Sequence, residues 1–189
     1  RAYLDAILAL PRRSLDDDAF ARRSILTLDV DDFEDRYDQA IDAVRSDEPQ
    51  RQHSAAKFLR EIIARDPRYW QPHLMLALAV RQAEGDSAAL AHLMDAVRLR
   101  PNDAEIRNLL AGILRRMGRP KEAVEHLRAV VAINPRDVDP VVALASCMRD
   151  ANLFDEARQV CTAALQMIPD HPDFQRILNS LPPPRERQN

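Results

Sequence analysis

The chain has 189 residues, of which 46% are hydrophobic and 30% are charged, with a net charge of −3. No apolar stretch approaches the ~18 uninterrupted residues of a transmembrane helix, so we expect no insertion into a membrane. The sequence also lacks a glycine-rich phosphate loop, an HExxH pattern and a GxSxG pattern. Only three glycines accompany an abundance of Ala, Leu and Arg, which favours helices. The composition therefore predicts an all-α protein without catalytic residues, cofactor or metal.

The N-terminal residues do not follow the pattern of the rest of the chain. An apolar stripe runs through residues 1–10, and Ser14 resembles the N-cap of a helix that reaches about Leu26. Because the chain begins with Arg1 rather than Met, we expect a fragment or a processed chain. We predict that residues 1–30 form either an N-terminal helical cap or the remnant of an upstream domain.

Four phased prolines mark an internal repeat in the remaining sequence. They follow one another at intervals of 34 residues: Pro67, Pro101, Pro135 and Pro169. A fixed period of this length is typical of stacked helical or solenoid architectures. Proline lacks a backbone N–H and restricts the residue before it, so each phased proline is expected to close a helix.

Alanines and turn residues recur in the same register. When each segment is numbered from Trp70, Ala104 or Val138, alanine occupies positions 8 and 20 of all three: Ala77, Ala111, Ala145, Ala89, Ala123 and Ala157. Large apolar residues lie at spacings of three and four, the period of an amphipathic helix. Residues that tolerate a left-handed backbone lie between the two halves of each segment: Gly85, Gly118 and Asn152. Each segment is therefore predicted to be two antiparallel helices joined by a tight turn.

This pattern resembles the tetratricopeptide repeat, which is 34 residues long with small residues at positions 8, 20 and 27 and proline at 32. Positions 4 and 11 depart from the family, which often has Trp and Tyr there. The resemblance implies a right-handed superhelical solenoid of antiparallel helix pairs. The predicted parts are a degenerate repeat at 31–69, three full repeats at 70–103, 104–137 and 138–171, a capping helix at 172–181 and a disordered tail at 182–189.

The resemblance also implies a concave groove, lined by positions near 2, 5, 9 and 12 of each first helix. Position 12 is an arginine in every full repeat: Arg81, Arg115 and Arg149. With the residues at positions 5 and 9 and the neighbouring arginine, the predicted partner-binding set is Leu74, Leu78, Arg81, Asn108, Arg115, Arg116, Val142, Ser146 and Arg149. Guanidinium groups suit carboxylates, so we expect an acidic, partly apolar segment of another protein. The alternative is that these arginines are solvated or pair with neighbours such as Glu84 and Asp150.

Other sites are disfavoured. The groove positions that would clamp a terminal carboxylate in chaperone-binding members of the family carry only one suitable residue, Asn108. His92 and His126 share one phase, and the spacing of successive repeats would keep them from one metal ion. Cys147 and Cys161 lack metal-ligand spacing, so we expect small core residues in a reducing compartment. A pI near 6.0 and 5% aromatic residues argue against nucleic acid.

The sequence thus predicts a non-catalytic protein-interaction scaffold. One alternative is a docking or regulatory module cut from a larger enzyme or from a secretion or assembly protein. A second alternative rests on the uneven charge along the chain: the net charge is −6 over residues 1–50 and +3 over residues 51–189. On that hypothesis the acidic N-terminal segment folds over the arginines of its own chain or of a second copy, and a homo-oligomer stays open. With only two lysines among 27 basic residues, the composition indicates a GC-rich bacterial genome. We expect a cytoplasmic protein, the periplasm being the alternative.

Overall fold

A computed structural model describes residues 30–46 and 48–183, and for residues 30–34 it describes the backbone alone. Across these ranges the chain forms nine α-helices and no strand. The helices are α1 (Val30–Arg45), α2 (Pro49–Arg65), α3 (Trp70–Glu84), α4 (Asp86–Leu99), α5 (Ala104–Arg116), α6 (Pro120–Ile133), α7 (Val138–Asp150), α8 (Phe154–Met167) and α9 (Pro172–Ser180). The predicted N-terminal cap and C-terminal tail lie outside the described residues, apart from the residues at their inner edges.

The chain divides into two compact units, residues 1–100 and residues 101–189. In the first unit α1 packs on α2, α2 on α3, and α3 on α4. In the second unit each helix from α5 to α9 packs on the next, and α9 also packs on α7. Alanine at position 20 is fully buried wherever a second helix meets its partner: Ala89, Ala123 and Ala157. No helix in the described part of the chain combines the length and the apolar character that crossing a bilayer requires.

The phased prolines follow the ends of helices, as predicted. α2, α4, α6 and α8 end at Arg65, Leu99, Ile133 and Met167, each two residues before a phased proline. Pro120 is the first residue of α6, a position where a missing N–H costs no helical hydrogen bond. Aspartates cap two of the helices that follow, α5 and α7. The Asp103 carboxylate accepts the N–H groups of the residues two and three positions later at 3.1 Å, and the Asp137 carboxylate accepts the N–H of Asp139 at 3.3 Å.

The carbonyl groups of two phased prolines are held by side chains of the following helix. The Nε2–H of His73 donates to the Pro67 carbonyl at 3.1 Å, and Nε–H of Arg107 donates to the Pro101 carbonyl at 2.5 Å. His73 and Arg107 both occupy position 4 of their repeats. Position 4 of the third repeat is Val141, whose side chain has no donor.

The three predicted turn residues all have a positive backbone φ angle. The backbone φ angle is +91° at Gly85, +73° at Gly118 and +62° at Asn152. The turns after α5 and α7 are closed by a backbone N–H that donates to a carbonyl five residues earlier: Arg119 to Leu114 at 2.9 Å, and Leu153 to Met148 at 2.8 Å. This bond is typical of a helix that ends at a glycine or asparagine in the left-handed conformation.

The turn after α3 is different. Helix α3 has 15 residues, two more than α5 or α7, and Gly85 is the only residue between α3 and α4. Gly85 combines φ +91° with ψ −179°, a region open essentially to glycine alone. Its N–H donates to the Arg81 carbonyl at 3.0 Å, which closes the last turn of α3.

Candidate functional site

In the second unit, the predicted groove residues lie on one face of α5 and one face of α7. Asn108 and Gly112 on α5 are partly exposed, and so are Val142 and Ser146 on α7. Spacings of four and three residues along each helix keep these residues on the same side as the arginine at position 12. The last turn of each helix therefore carries the guanidinium group of Arg115 or Arg149 on that face.

Arg115 and Arg149 meet at the carboxylate of Asp150. Nε of Arg115 donates to Oδ2 of Asp150 at 2.7 Å. Nε and Nη2 of Arg149 both donate to the other oxygen, Oδ1, at 3.1 and 2.9 Å. Of the Asp150 side chain, 29% is exposed to solvent. The ends of α5 and α7 are thus linked through one shared anion.

The Asp150 carboxyl stays ionised because of its two arginine partners. Partial burial acts to raise its pKa, but the hydrogen bonds from Arg115 and from Arg149 outweigh that effect. The pKa of Asp150 therefore lies below the ordinary value for an aspartate. At neutral pH the group of two guanidinium ions and one carboxylate carries a formal charge of +1.

Two further contacts shape this surface. Nη1 of Arg149 lies 3.4 Å from Oγ of Ser180, the last residue of α9. Nη1 of Arg116 lies 3.8 Å from the point where a Cβ atom of Gly112 would be. The guanidinium of Arg116 therefore lies over the glycine, and the surface at position 9 of this repeat is polar rather than open.

The predicted groove residues of the first unit are placed differently. Leu74 and Leu78 are buried, with 1% and 3% of their surface exposed. Helix α3 is buried on every side from Trp70 to Val80, so both leucines contribute to the packing of this unit. Arg81 is partly exposed and makes no ion pair with a described residue. Glu84, which the sequence offered as its partner, lies 3.5 Å from Nη2 of Arg60 instead.

Comparisons with known families agree with this helical repeat. Two family models, each described as a tetratricopeptide repeat, match residues 74–138 and residues 114–181. The chain belongs to the tetratricopeptide repeat family. No curated protein matches the sequence significantly.

Solved structures of other tetratricopeptide repeat proteins share this fold. MamA 41-end from Desulfovibrio magneticus RS-1 is 18% identical, with 77% of this chain and 80% of that one covered and a TM-score of 0.64. A crystal structure of the MamA protein is 20% identical, with 87% and 89% covered and a TM-score of 0.61. YrrB, described as a TPR protein with an unusual peptide-binding site, is 19% identical, with 68% and 66% covered and a TM-score of 0.60. At these identities the likeness shows the fold, an all-α helical repeat solenoid.

A cavity of about 620 Å³ lies between α1 and α2, and the repeat pattern of the sequence did not predict it. Small buried residues and one aromatic ring form its floor: Ala40, Ala43, Ala55 and Phe58. The guanidinium of Arg36 lies 4.4 Å from the centre of the Phe58 ring. The only signal in the sequence was a run of alanines on two consecutive helices of the degenerate repeat, a pattern that close helix packing also produces.

The cysteines of the tetratricopeptide helices are core residues, as predicted. Cys147 and Cys161 are both buried and free. Burial raises the pKa of both thiols, which are therefore protonated at neutral pH. Within residues 30–46 and 48–183, no three His, Cys, Asp or Glu side chains are placed to hold a metal ion.

Two half-buried histidines, His92 and His126, have pKa values below the ordinary histidine value. Burial is the largest cause that lowers the pKa of His92, followed by His73 and Arg60. Burial also lowers the pKa of His126, with Arg107 second. Nη1 of Arg107 lies 3.4 Å from Nδ1 of His126, so this ring nitrogen accepts and the imidazole is neutral.

We expect the free energy of unfolding to fall as the pH drops below the ordinary histidine pKa of 6.5. The unfolded chain then binds protons that the folded chain excludes, until the pH reaches the lower folded pKa values. Above 6.5 both states are neutral and this effect vanishes. Urea unfolding at about pH 7.5 and about pH 5.5 measures the loss, which should shrink in the double variant His92→Gln/His126→Gln. The exposed His53→Gln is the matched control, and an equal loss in the double variant would contradict the assignment.

Proposed function

We propose that this protein is a non-catalytic scaffold that binds an acidic, partly apolar segment of another protein. The binding surface is the face of α5 and α7 that carries Asn108, Arg115, Val142, Ser146 and Arg149. Arg116 borders this surface. Leu74, Leu78 and Arg81 are not part of it, since they belong to the first unit, where both leucines are buried. Membership of the tetratricopeptide repeat family supports the broader role in protein binding, and so does the similarity to YrrB, a TPR protein with an unusual peptide-binding site.

The observation that carries the proposal is the convergence of Arg115 and Arg149 on one carboxylate. Their donors lie 2.7 to 3.1 Å from the oxygens of Asp150, so the spacing of the two helix ends suits a carboxyl group. Val142 beside them offers apolar area, and the polar Asn108 and Ser146 can bond a peptide backbone. A partner segment that alternates acidic and apolar residues matches this arrangement.

Neutralising both arginines tests the proposal. We expect Arg115→Gln/Arg149→Gln to weaken binding of an acidic peptide at least tenfold, because hydrogen bonds to charged groups contribute about 1.5–3 kcal/mol each. Isothermal titration calorimetry with the peptide Ac-GLDELDELG-NH2 measures the affinity. The far-ultraviolet circular dichroism and the melting temperature should change little, since exposed ion pairs contribute only about 0–1 kcal/mol.

Arg128→Gln/Arg136→Gln is the matched control. It removes the same charge from two exposed arginines of the second unit that lie outside the proposed surface. Equal affinity of the wild-type protein and the Arg115/Arg149 variant would refute the proposed surface. Equal weakening by the control variant would reduce the interaction to a general effect of net charge.

A further inference from the structure

We propose that Asp150 is an internal competitor for the acidic ligand and thereby sets which partners this surface accepts. The inference rests on the proposed function, since it concerns the same two arginines. Asp150 lies at position 13 of its repeat, and the corresponding residues of the other full repeats are Gln82 and Arg116. Position 13 therefore supplies a carboxylate in the third full repeat alone, where it contacts both Arg115 and Arg149.

The geometry places Asp150 where a ligand carboxylate would bind. Arginine binds carboxylates most strongly through two parallel N–H donors. Nε and Nη2 of Arg149 form such a pair, and both are directed at Oδ1 of Asp150. Oδ2 takes Nε of Arg115, while the two Nη groups of Arg115 donate to no other described residue. A ligand must therefore displace Asp150 from Arg149 or use the outer donors of Arg115.

The charges make this competition permanent near neutral pH. Hydrogen bonds from the two arginines keep the Asp150 carboxylate ionised, so protonation does not release it. Two uncharged groups also lie close: the hydroxyl of Ser180 on α9 and the buried thiol of Cys147 one turn earlier on α7. Among the described residues, no carboxylate other than Asp150 forms an ion pair with either guanidinium group. Asp150 thus reduces a formal charge of +2 to +1.

This arrangement selects for ligands that carry two adjacent acidic groups. A single carboxylate that replaces Asp150 exchanges one ion pair for another and gains little. Two adjacent carboxylates can take the fork of Arg149 and the outer donors of Arg115 together. We therefore expect the wild-type protein to prefer a segment with neighbouring Asp and Glu residues over a segment with one acidic residue.

The variant Asp150→Asn tests the proposal because it removes the charge and keeps the shape. We expect it to bind the single-acid peptide Ac-GLQELG-NH2 about two to five times more tightly than the wild-type protein, the range expected for losing a partly exposed ion-pair competitor. The preference for Ac-GLDELG-NH2 over that peptide should shrink. Asp155→Asn is the matched control, since it removes one exposed carboxylate on α8 that pairs with no described residue. Calorimetry near neutral pH in low salt measures all affinities.

The outcomes separate this inference from the proposed function. Tighter binding by Asp150→Asn supports the inference, even if the wild-type protein binds too weakly to measure. Wild-type binding that depends on Arg115 and Arg149, with no gain in Asp150→Asn, overturns the inference and leaves the proposed function intact. In that case Asp150 orients the arginines rather than competing for them. No binding by either protein overturns both proposals.

Discussion

Replacing Phe174 with alanine is expected to lower the free energy of unfolding by about 3–5 kcal/mol, the cost of removing a buried aromatic side chain and leaving a cavity. Phe174 lies on α9 with 1% of its surface exposed. It belongs to one core cluster with Ala145 of α7, Cys161 of α8 and Ile177 of α9. Small residues on α7 and α8 create the space that the Phe174 ring fills, and they cannot close it when the ring is removed.

Chemical denaturation monitored by circular dichroism measures this loss. Met167→Ala is the matched control, because Met167 is 79% exposed and its truncation should change stability by less than about 0.5 kcal/mol. A loss below about 1 kcal/mol for Phe174→Ala would mean that α9 is not a firm part of the second unit. The test bears on function as well, since Ser180 at the end of α9 contacts Arg149.

Replacing Gly85 with alanine is expected to cost about 1–3 kcal/mol, since its φ and ψ angles lie in a region that only glycine adopts readily. No atom of the described residues lies within 4 Å of the added Cβ, so the expected cost is conformational rather than steric. Gly118→Ala should cost less, because the conformation of Gly118 is near the left-handed region that other residues can enter.

Gly112→Ala provides the internal reference for both substitutions. Gly112 is helical, and an added Cβ would meet Nη1 of Arg116 at 3.8 Å, an ordinary contact. Alanine should therefore stabilise this position by roughly 0.5–1 kcal/mol through its helix propensity. Thermal and urea unfolding of the three variants measure the order. A cost at Gly85 no larger than that at Gly118 would contradict the strained turn after α3.

The periodicity of the sequence predicted much of the fold because it is a local property. The spacing of the prolines predicted where the second helix of each repeat ends, and the residue types of Gly118 and Asn152 predicted the turns after α5 and α7. The periodicity did not predict that α3 is longer than α5 and α7 or that only Gly85 follows it. A longer helix with a shorter turn leaves the repeat length of 34 residues unchanged. The division into repeats stays a prediction.

The candidate site was less predictable because it depends on distances between helices. The repeat alignment puts Arg115 and Arg149 at the same position, 12, but it does not predict the 2.7 Å contact between Nε of Arg115 and Oδ2 of Asp150. The sequence offered Asp150 as a reason to discount the arginines, whereas its position suggests a role in selecting their ligand. Leu74 and Asn108 both occupy position 5 of their repeats, so both were expected on the same kind of surface. Leu74 is buried instead, because α3 is packed on all its sides from Trp70 to Val80, which the repeat position does not indicate.

At position 4 of the repeat, where this chain departs from the family, the side chains of two repeats hold the preceding loop. The residues there, His73 and Arg107, replace the tryptophan that the family often carries, and each holds the carbonyl of the preceding phased proline. An indole N–H is a single donor at the end of a bulky ring, whereas these side chains reach back across six residues to a loop. A hydrogen bond from the following helix therefore holds each of the loops before α3 and α5, and in the first loop the Tyr69 ring also stacks on Tyr37. A residue that departs from the family at position 4 can thus supply a contact that holds the preceding loop.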